Sequence, residues 1–248
     1  MSDIIQLFVD FDDTLSDFVG LGGQYVARLA TLLSGEFGGR KLDWASLLPA
    51  AIAASLDRYA TKFGNNPQPG FAAWAEQERA RIVTELFDAM NRKLPLNETA
   101  VSLADRLQWD ALTTCGAPLP GAEAALTDVC NLGVKVQMAS SWGSRYLHAA
   151  LIGAGLDSSI ETKFGPDLVD CPKEGPEFYR RIFRVCDVRP DRAVVLDDQV
   201  MCLDWAEEAG ARVIQACMKS NSPAQFPTAI RNLSELPAAI PRDSGPAH

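Results

Sequence analysis

The sequence predicts an α/β protein: a parallel sheet covered by helices on both faces, interrupted after its first strand by an all-helical block. Three observations carry this. Past about residue 115, short apolar runs alternate with helical stretches, the pattern of strands buried on both faces. Each apolar run ends in polar residues. From residue 16 to 114, helical spacing recurs with no convincing strand between the segments.

Four runs read as strands: Ile4 to Phe11 (IIQLFVDF), Val134 to Ala139 (VKVQMA), Ala193 to Leu196 (AVVL) and Arg212 to Cys217 (RVIQAC). Helices are expected over Ala122 to Leu132, Arg145 to Ile152, Pro176 to Val185 and Leu203 to Ala209, the last closed by Gly210. In the inserted block, Phe18 to Leu33 carries apolar residues at helical spacing, and Gly20 to Gly23 read as its loose beginning. Pro49 to Phe63 starts with proline in the first turn and stops at Gly64. Phe71 to Arg92 follows the loop NNPQPG, and Asn97 is placed to cap a last helix reaching Trp109. The chain thus divides into a sheet domain (1–15 and 115–240), a helical domain (16–114) and a short polar tail (241–248) expected to be disordered.

Composition narrows the function classes. The net charge is -9, and the helical block is nearly neutral, with 10 basic and 11 acidic residues; the negative charge sits in the α/β part. A chain without a basic stripe is not expected to bind nucleic acid. The longest apolar stretch, Leu47 to Ala54, is far short of the roughly 20 residues that span a bilayer, so no membrane partner is expected. Six cysteines lie 15 to 41 residues apart with no CxxC pair, which fits reduced thiols in a cytoplasmic protein better than a zinc site or a disulfide scaffold. With only His148 and His248 and no G-x-S-x-G elbow, chemistry falls to carboxylates. The glycines GLGG lack a preceding strand and a G-K-[ST], and LIGAGL closes a helix, so neither is a nucleotide loop.

Those carboxylates stand at strand ends. LFVDFDDTL places Asp10 and Asp12 two apart, on one side if the strand persists, where open α/β sheets bind ligands. VQMASSWG ends with Ser140 and Ser141, VVLDDQ ends with Asp197 and Asp198, and DCPKEGPEFY sets Lys173 just before a helix. Four acids brought together repel and lose solvation, so a divalent cation is the natural remedy. Hydroxyl, lysine and metal together suit a phosphoryl group.

With these residues the chain resembles the haloacid dehalogenase superfamily. DFDDT is similar to its D-x-D-x-T opening, and Ser140, Lys173 and Asp197-Asp198 fall, in order, where its later motifs lie. The resemblance spans residues 1 to 15 and about 115 to 235, and implies a Rossmann-like core. The helical block resembles a C1-type cap in position and length only. The resemblance implies Asp10 as nucleophile forming an aspartyl-phosphate, and Asp12 as general acid and then base. It implies Mg²⁺ held by Asp10, the main-chain carbonyl of Asp12, Asp197 and Asp198. Phosphate would be contacted by Ser140, Ser141 and Lys173. Two positions depart from the pattern: Asp13, where many relatives carry glycine, and Trp142, whose ring would narrow the pocket, contact the cap or pack at the surface.

The reaction expected is hydrolysis of a small phosphorylated metabolite. Dehalogenases of this superfamily lack the second aspartate, because halide leaves without a proton, whereas this chain has Asp12. A phosphonoacetaldehyde-type reaction also lacks it and adds a Schiff-base lysine, for which neither Lys41 nor Lys62 stands out. A phosphomutase shares all four motifs and stays open, as does a non-catalytic binding protein. No sequence feature bears on oligomeric state.

Overall fold

The computed structural model describes residues 5–64, 69–219 and 222–241. Ile4, most of the NNPQPG loop and all but Pro241 of the tail lie outside the described residues. The elements run β1 (Gln6–Val9), α1 (Phe18–Phe37), α2 (Lys41–Phe63), α3 (Phe71–Ala89), α4 (Ala100–Leu112), α5 (Ala122–Asn131), β2 (Lys135–Ala139), α6 (Ser144–Ala154), β3 (Lys163–Phe164), α7 (Pro166–Val169), α8 (Pro176–Val185), β4 (Ala193–Asp197), α9 (Val200–Glu208), β5 (Arg212–Ala216), β6 (Ala229–Ile230) and α10 (Leu236–Ala239). Among these residues the six strands form one parallel sheet, ordered β3-β2-β1-β4-β5-β6. This is the expected α/β core with a helical insertion after β1.

The two faces of the sheet follow from the period of two in each strand. Leu7, Val9, Val136, Met138, Val194 and Leu196 pack with residues of α5 and α6. Phe8, Val195 and Val213 face the other way, onto Phe178, Ile182 and Leu203 of α8 and α9. Every residue of β1 is buried, which is why it reads as an unbroken apolar run. Being parallel, all strands present their carboxyl ends at one edge, and β1 and β4 are neighbours there, with Val9 opposite Leu196.

Helices α1 to α4 enclose their own apolar cluster around Leu33, Trp44, Leu48, Val83, Phe87, Leu103 and Leu107. The chain leaves and re-enters the sheet side by side. Asp17 donates its N–H to the Ala117 carbonyl at 2.8 Å, and Leu119 to the Leu15 carbonyl at 2.8 Å. Behind this neck, α6 lies directly on the end of α4. A Cβ on Gly153 would come within 2.0 Å of the Cys115 carbonyl oxygen, so only glycine fits.

Several local expectations are corrected. Gly20 to Gly23 lie in regular helix inside α1, which starts at Phe18 as expected, because the Asp17 carboxylate accepts from the Val19 N–H at 3.2 Å and Leu21 is anchored in the core. Pro49 sits inside α2, not in its first turn; the preceding turns are held by the buried Trp44 and Leu48. Thr99, not Asn97, caps α4, through a reciprocal pair of bonds with Ser102. The strands β3 and β6, two residues each, are too short for a periodicity to betray. No helix of the described residues is long and apolar enough to cross a membrane.

Candidate active site

Asp10 follows β1 directly. Its N–H still donates to the Leu196 carbonyl at 2.9 Å, so the β1–β4 ladder holds its backbone and the side chain is buried. Asp197 closes β4 on the adjacent strand, and Lys173, from the loop ahead of α8, reaches between the two. Its Nζ lies 2.7 Å from Asp10 Oδ1 and 2.7 Å from Asp197 Oδ2. The other oxygen of Asp197 accepts the N–H of Gln199 at 2.9 Å. Oxygens of Asp10, Asp197 and Asp198 lie within 4.8 Å of one another.

Charge is therefore concentrated without full compensation: one ammonium serves two buried carboxylates, with Asp198 alongside. Burial holds the Asp10 carboxyl well above the usual carboxylate range; the Lys173 ammonium opposes this, while Asp197 and Asp12 add to it. Burial works against the Lys173 charge as well, yet Asp10 and Asp197 outweigh it and hold its pKa well above the ordinary lysine value. Burial, reinforced by Asp197 and Asp13, lifts Asp198 to about 6. One Asp198 oxygen, Oδ1, is buried with no hydrogen-bond partner among the described residues. An orphaned oxygen in an all-oxygen set with surplus negative charge fits a hard divalent cation.

Asp12 stands apart from this cluster. Its Oδ2 accepts the indole N–H of Trp142 at 2.7 Å, and its Oδ1 is buried without a partner among the described residues. Burial raises its pKa to about 6, against the lowering effect of the Trp142 hydrogen bond. The next residue, Asp13, adopts a left-handed conformation (φ 54°), which favours glycine and which aspartate tolerates. Its carboxylate pairs with Lys219 at 2.5 Å. Thr14, fully buried, leaves its hydroxyl oxygen without a partner among the described residues.

The two serines after β2 separate. Ser140 is buried, its N–H extends the ladder to Phe164 at 3.0 Å, and its Oγ accepts the Trp142 N–H at 3.2 Å, leaving the hydroxyl proton free to donate. Ser141 is exposed and makes no side-chain hydrogen bond among the described residues. His148 lies in α6, 3.3 Å from Asp157 and edge-on to Trp109.

Contacts from the helical insertion were not legible in the sequence. The Tyr59 hydroxyl donates to Glu174, the neighbour of Lys173, at 3.0 Å. Asp170 accepts the Gly70 N–H at 3.0 Å and so caps α3 from across the chain. The Tyr146 hydroxyl donates to Asp105 at 2.6 Å, and Arg79 pairs with the same carboxylate at 3.0 Å. Where the insertion meets the sheet loops, a cavity of about 550 Å³ is lined by Phe71, Trp74, Arg79, Gly143, Arg145 and Tyr146, among others.

Solved structures share this fold along nearly their whole length. The defluorinating L-2-haloacid dehalogenase Rha0230 superposes with a TM-score of 0.65 at 14% identity, covering 95% of this chain and 94% of its own. The putative HAD-hydrolase YfnB from Bacillus subtilis, bound to magnesium, gives 0.62 at 13% identity, with 95% and 97% covered. The L-2-haloacid dehalogenase from Xanthobacter autotrophicus, with chloropropionic acid covalently bound, gives 0.59 at 17% identity, with 96% and 98% covered. At such identities the likeness concerns the fold. No curated protein matches the sequence. The profile of the haloacid dehalogenase-like hydrolases matches residues 7–210, from β1 through the motif after β4 and on past α9. That match spans well over half of the chain, and the chain belongs to the haloacid dehalogenase-like hydrolase family.

Proposed function

We propose that the chain is a phosphohydrolase acting on a small phosphomonoester, with residues 1–15 and 115–240 as catalytic core and residues 16–114 as its cap. The observation that carries this reading is Asp12: a second, half-buried carboxyl two positions after the first, with one oxygen bonded to Trp142 and the other buried and unpartnered among the described residues. Cleavage of a carbon–halogen bond needs no proton for the halide. Departure of an alkoxide does.

In this reading Lys173 holds Asp10 through Oδ1 and leaves Oδ2 to attack phosphorus. The bond from phosphorus to the ester oxygen breaks, and that oxygen takes a proton from Asp12. Asp12, now ionised, removes a proton from water, which attacks phosphorus and releases Asp10 and orthophosphate. Ser140 donates its hydroxyl proton to a phosphoryl oxygen, and the Lys173 charge offsets that of the phosphoryl group. The exposed Ser141 is assigned no more than a contact at the mouth of the site. Asp10, the carbonyl of Asp12, Asp197 and Asp198 would hold Mg²⁺, which when bound supplies positive charge against the phosphoryl oxygens.

Phosphate release from a panel of phosphorylated metabolites with Mg²⁺ tests the reading. Asp10→Asn is expected to lower it by roughly 10⁴-fold or more. Halide release from 2-haloacids without phosphate release from any ester would overturn it, and return of an isomer only with a bisphosphate primer would identify a mutase instead.

A further inference from the structure

We propose that Trp142 is the positioning residue for Asp12: its indole N–H holds Oδ2, so that Oδ1 is the oxygen that exchanges protons with the leaving alcohol and with water. The inference rests on the phosphohydrolase reading and adds to it a residue outside the four motifs.

A protonated carboxyl has one hydroxyl and one carbonyl-like oxygen. The indole can only donate, so the oxygen facing it at 2.7 Å must accept. The proton is thereby placed on Oδ1, the buried atom that no described residue engages. When Oδ1 gives this proton to the ester oxygen, the bond pair from phosphorus stays with that oxygen and the negative charge passes to the Asp12 carboxylate. The same indole bond, then charge-assisted, is stronger. On the return step Oδ1 takes a proton from water and the cycle closes.

The indole is held firmly enough to impose this choice. Its ring meets the fully buried Phe11 edge-on, centroids 5.8 Å apart at 71°. The backbone of the loop is clamped on two sides. Trp142 donates its N–H to Ser140 Oγ, and Ser144, two residues on, donates its N–H to Asp167 Oδ1 at 2.7 Å. The Trp142 carbonyl lies so close to Gly165 that a Cβ there would come within 2.1 Å of it. One loop therefore fixes both Ser140 and the orientation of the acid, although Trp142 and Asp12 are 130 positions apart.

Trp142→Phe keeps a ring against Phe11 and removes the N–H. The values of kcat/KM are compared for an unactivated alkyl phosphate and for 4-nitrophenyl phosphate, whose leaving group departs as a stable anion. The variant is expected to lose roughly tenfold or more on the alkyl ester and less than about threefold on the nitrophenyl ester. Equal losses on both would overturn the proposal, because mere disturbance of the loop would not discriminate between leaving groups. A second measurement needs no Trp142 variant. In NMR spectra Asp12→Asn should move the indole N–H resonance of Trp142 and leave those of Trp44, Trp74, Trp109 and Trp205 in place; an unmoved Trp142 signal also overturns it. If the wild-type enzyme releases phosphate from neither of these esters nor from any ester of the metabolite panel, the hydrolase reading and the proton-transfer role fall together. That outcome is distinguished from a failure of positioning by a Trp142 signal that still responds to Asp12.

Discussion

Replacing Lys173 by methionine keeps the length of the side chain and removes its charge, and the structure allows the consequence to be worked out. The ammonium sits 2.7 Å from one oxygen each of Asp10 and Asp197, and the three side chains are 4%, 7% and 1% exposed. At an effective dielectric constant near 20 each pair attracts by about 6 kcal/mol before desolvation is subtracted. Desolvation offsets much of this, and removing one partner of a buried pair typically costs about 3–5 kcal/mol, since it strands charge. For a chain of this length each kcal/mol moves Tm by about 2–4 °C, so Lys173→Met should melt roughly 6–20 °C lower at pH 7.5 without metal. Asp10 already has a folded-state pKa raised by burial, and the substitution raises it further. A raised carboxyl favours the folded state below its unfolded pKa and loses that contribution as pH rises through the folded value. The Tm deficit should therefore shrink between pH 7.5 and pH 5. Differential scanning calorimetry of both proteins across that range is the assay. A variant that melts within 2 °C of wild type at pH 7.5, or a deficit that does not change with pH, would refute the view that Lys173 neutralises two buried acids.

Two further outcomes follow from the same site and its surroundings. Asp198 is held up to about 6 by burial and must ionise to bind a cation, so Mg²⁺ affinity measured by calorimetry should weaken about tenfold or more from pH 7.5 to pH 5; an affinity that stays level would contradict its place in the ligand set. Asp170→Gly suits the left-handed backbone there (φ 45°) and removes the carboxylate that caps α3, so stability should fall by about 1 kcal/mol and hydrogen exchange at Gly70 and Ala72 should quicken, whereas unchanged protection would show that α3 needs no partner from the core.

The sequence alone determined the α/β core, the inserted helical block and the strand ends that carry Asp10, Ser140 and Asp197. The physical reason is local. Strands buried on both faces must be short unbroken apolar runs, and parallel pairing brings their carboxyl ends to one edge whatever the packing details. Tertiary structure decided what those residues touch. Lys173 reaches Asp10 across 163 positions and Asp12 meets Trp142 across 130, distances over which no periodicity carries information. Packing likewise overrode the local preferences of Gly20 to Gly23 and Pro49, which lie inside helices because Leu21, Trp44 and Leu48 are anchored in apolar clusters. Side chains of known type were thus placed at the right edge by pattern, and only the folded chain chose their partners, because partner choice depends on shape and burial summed over the whole molecule.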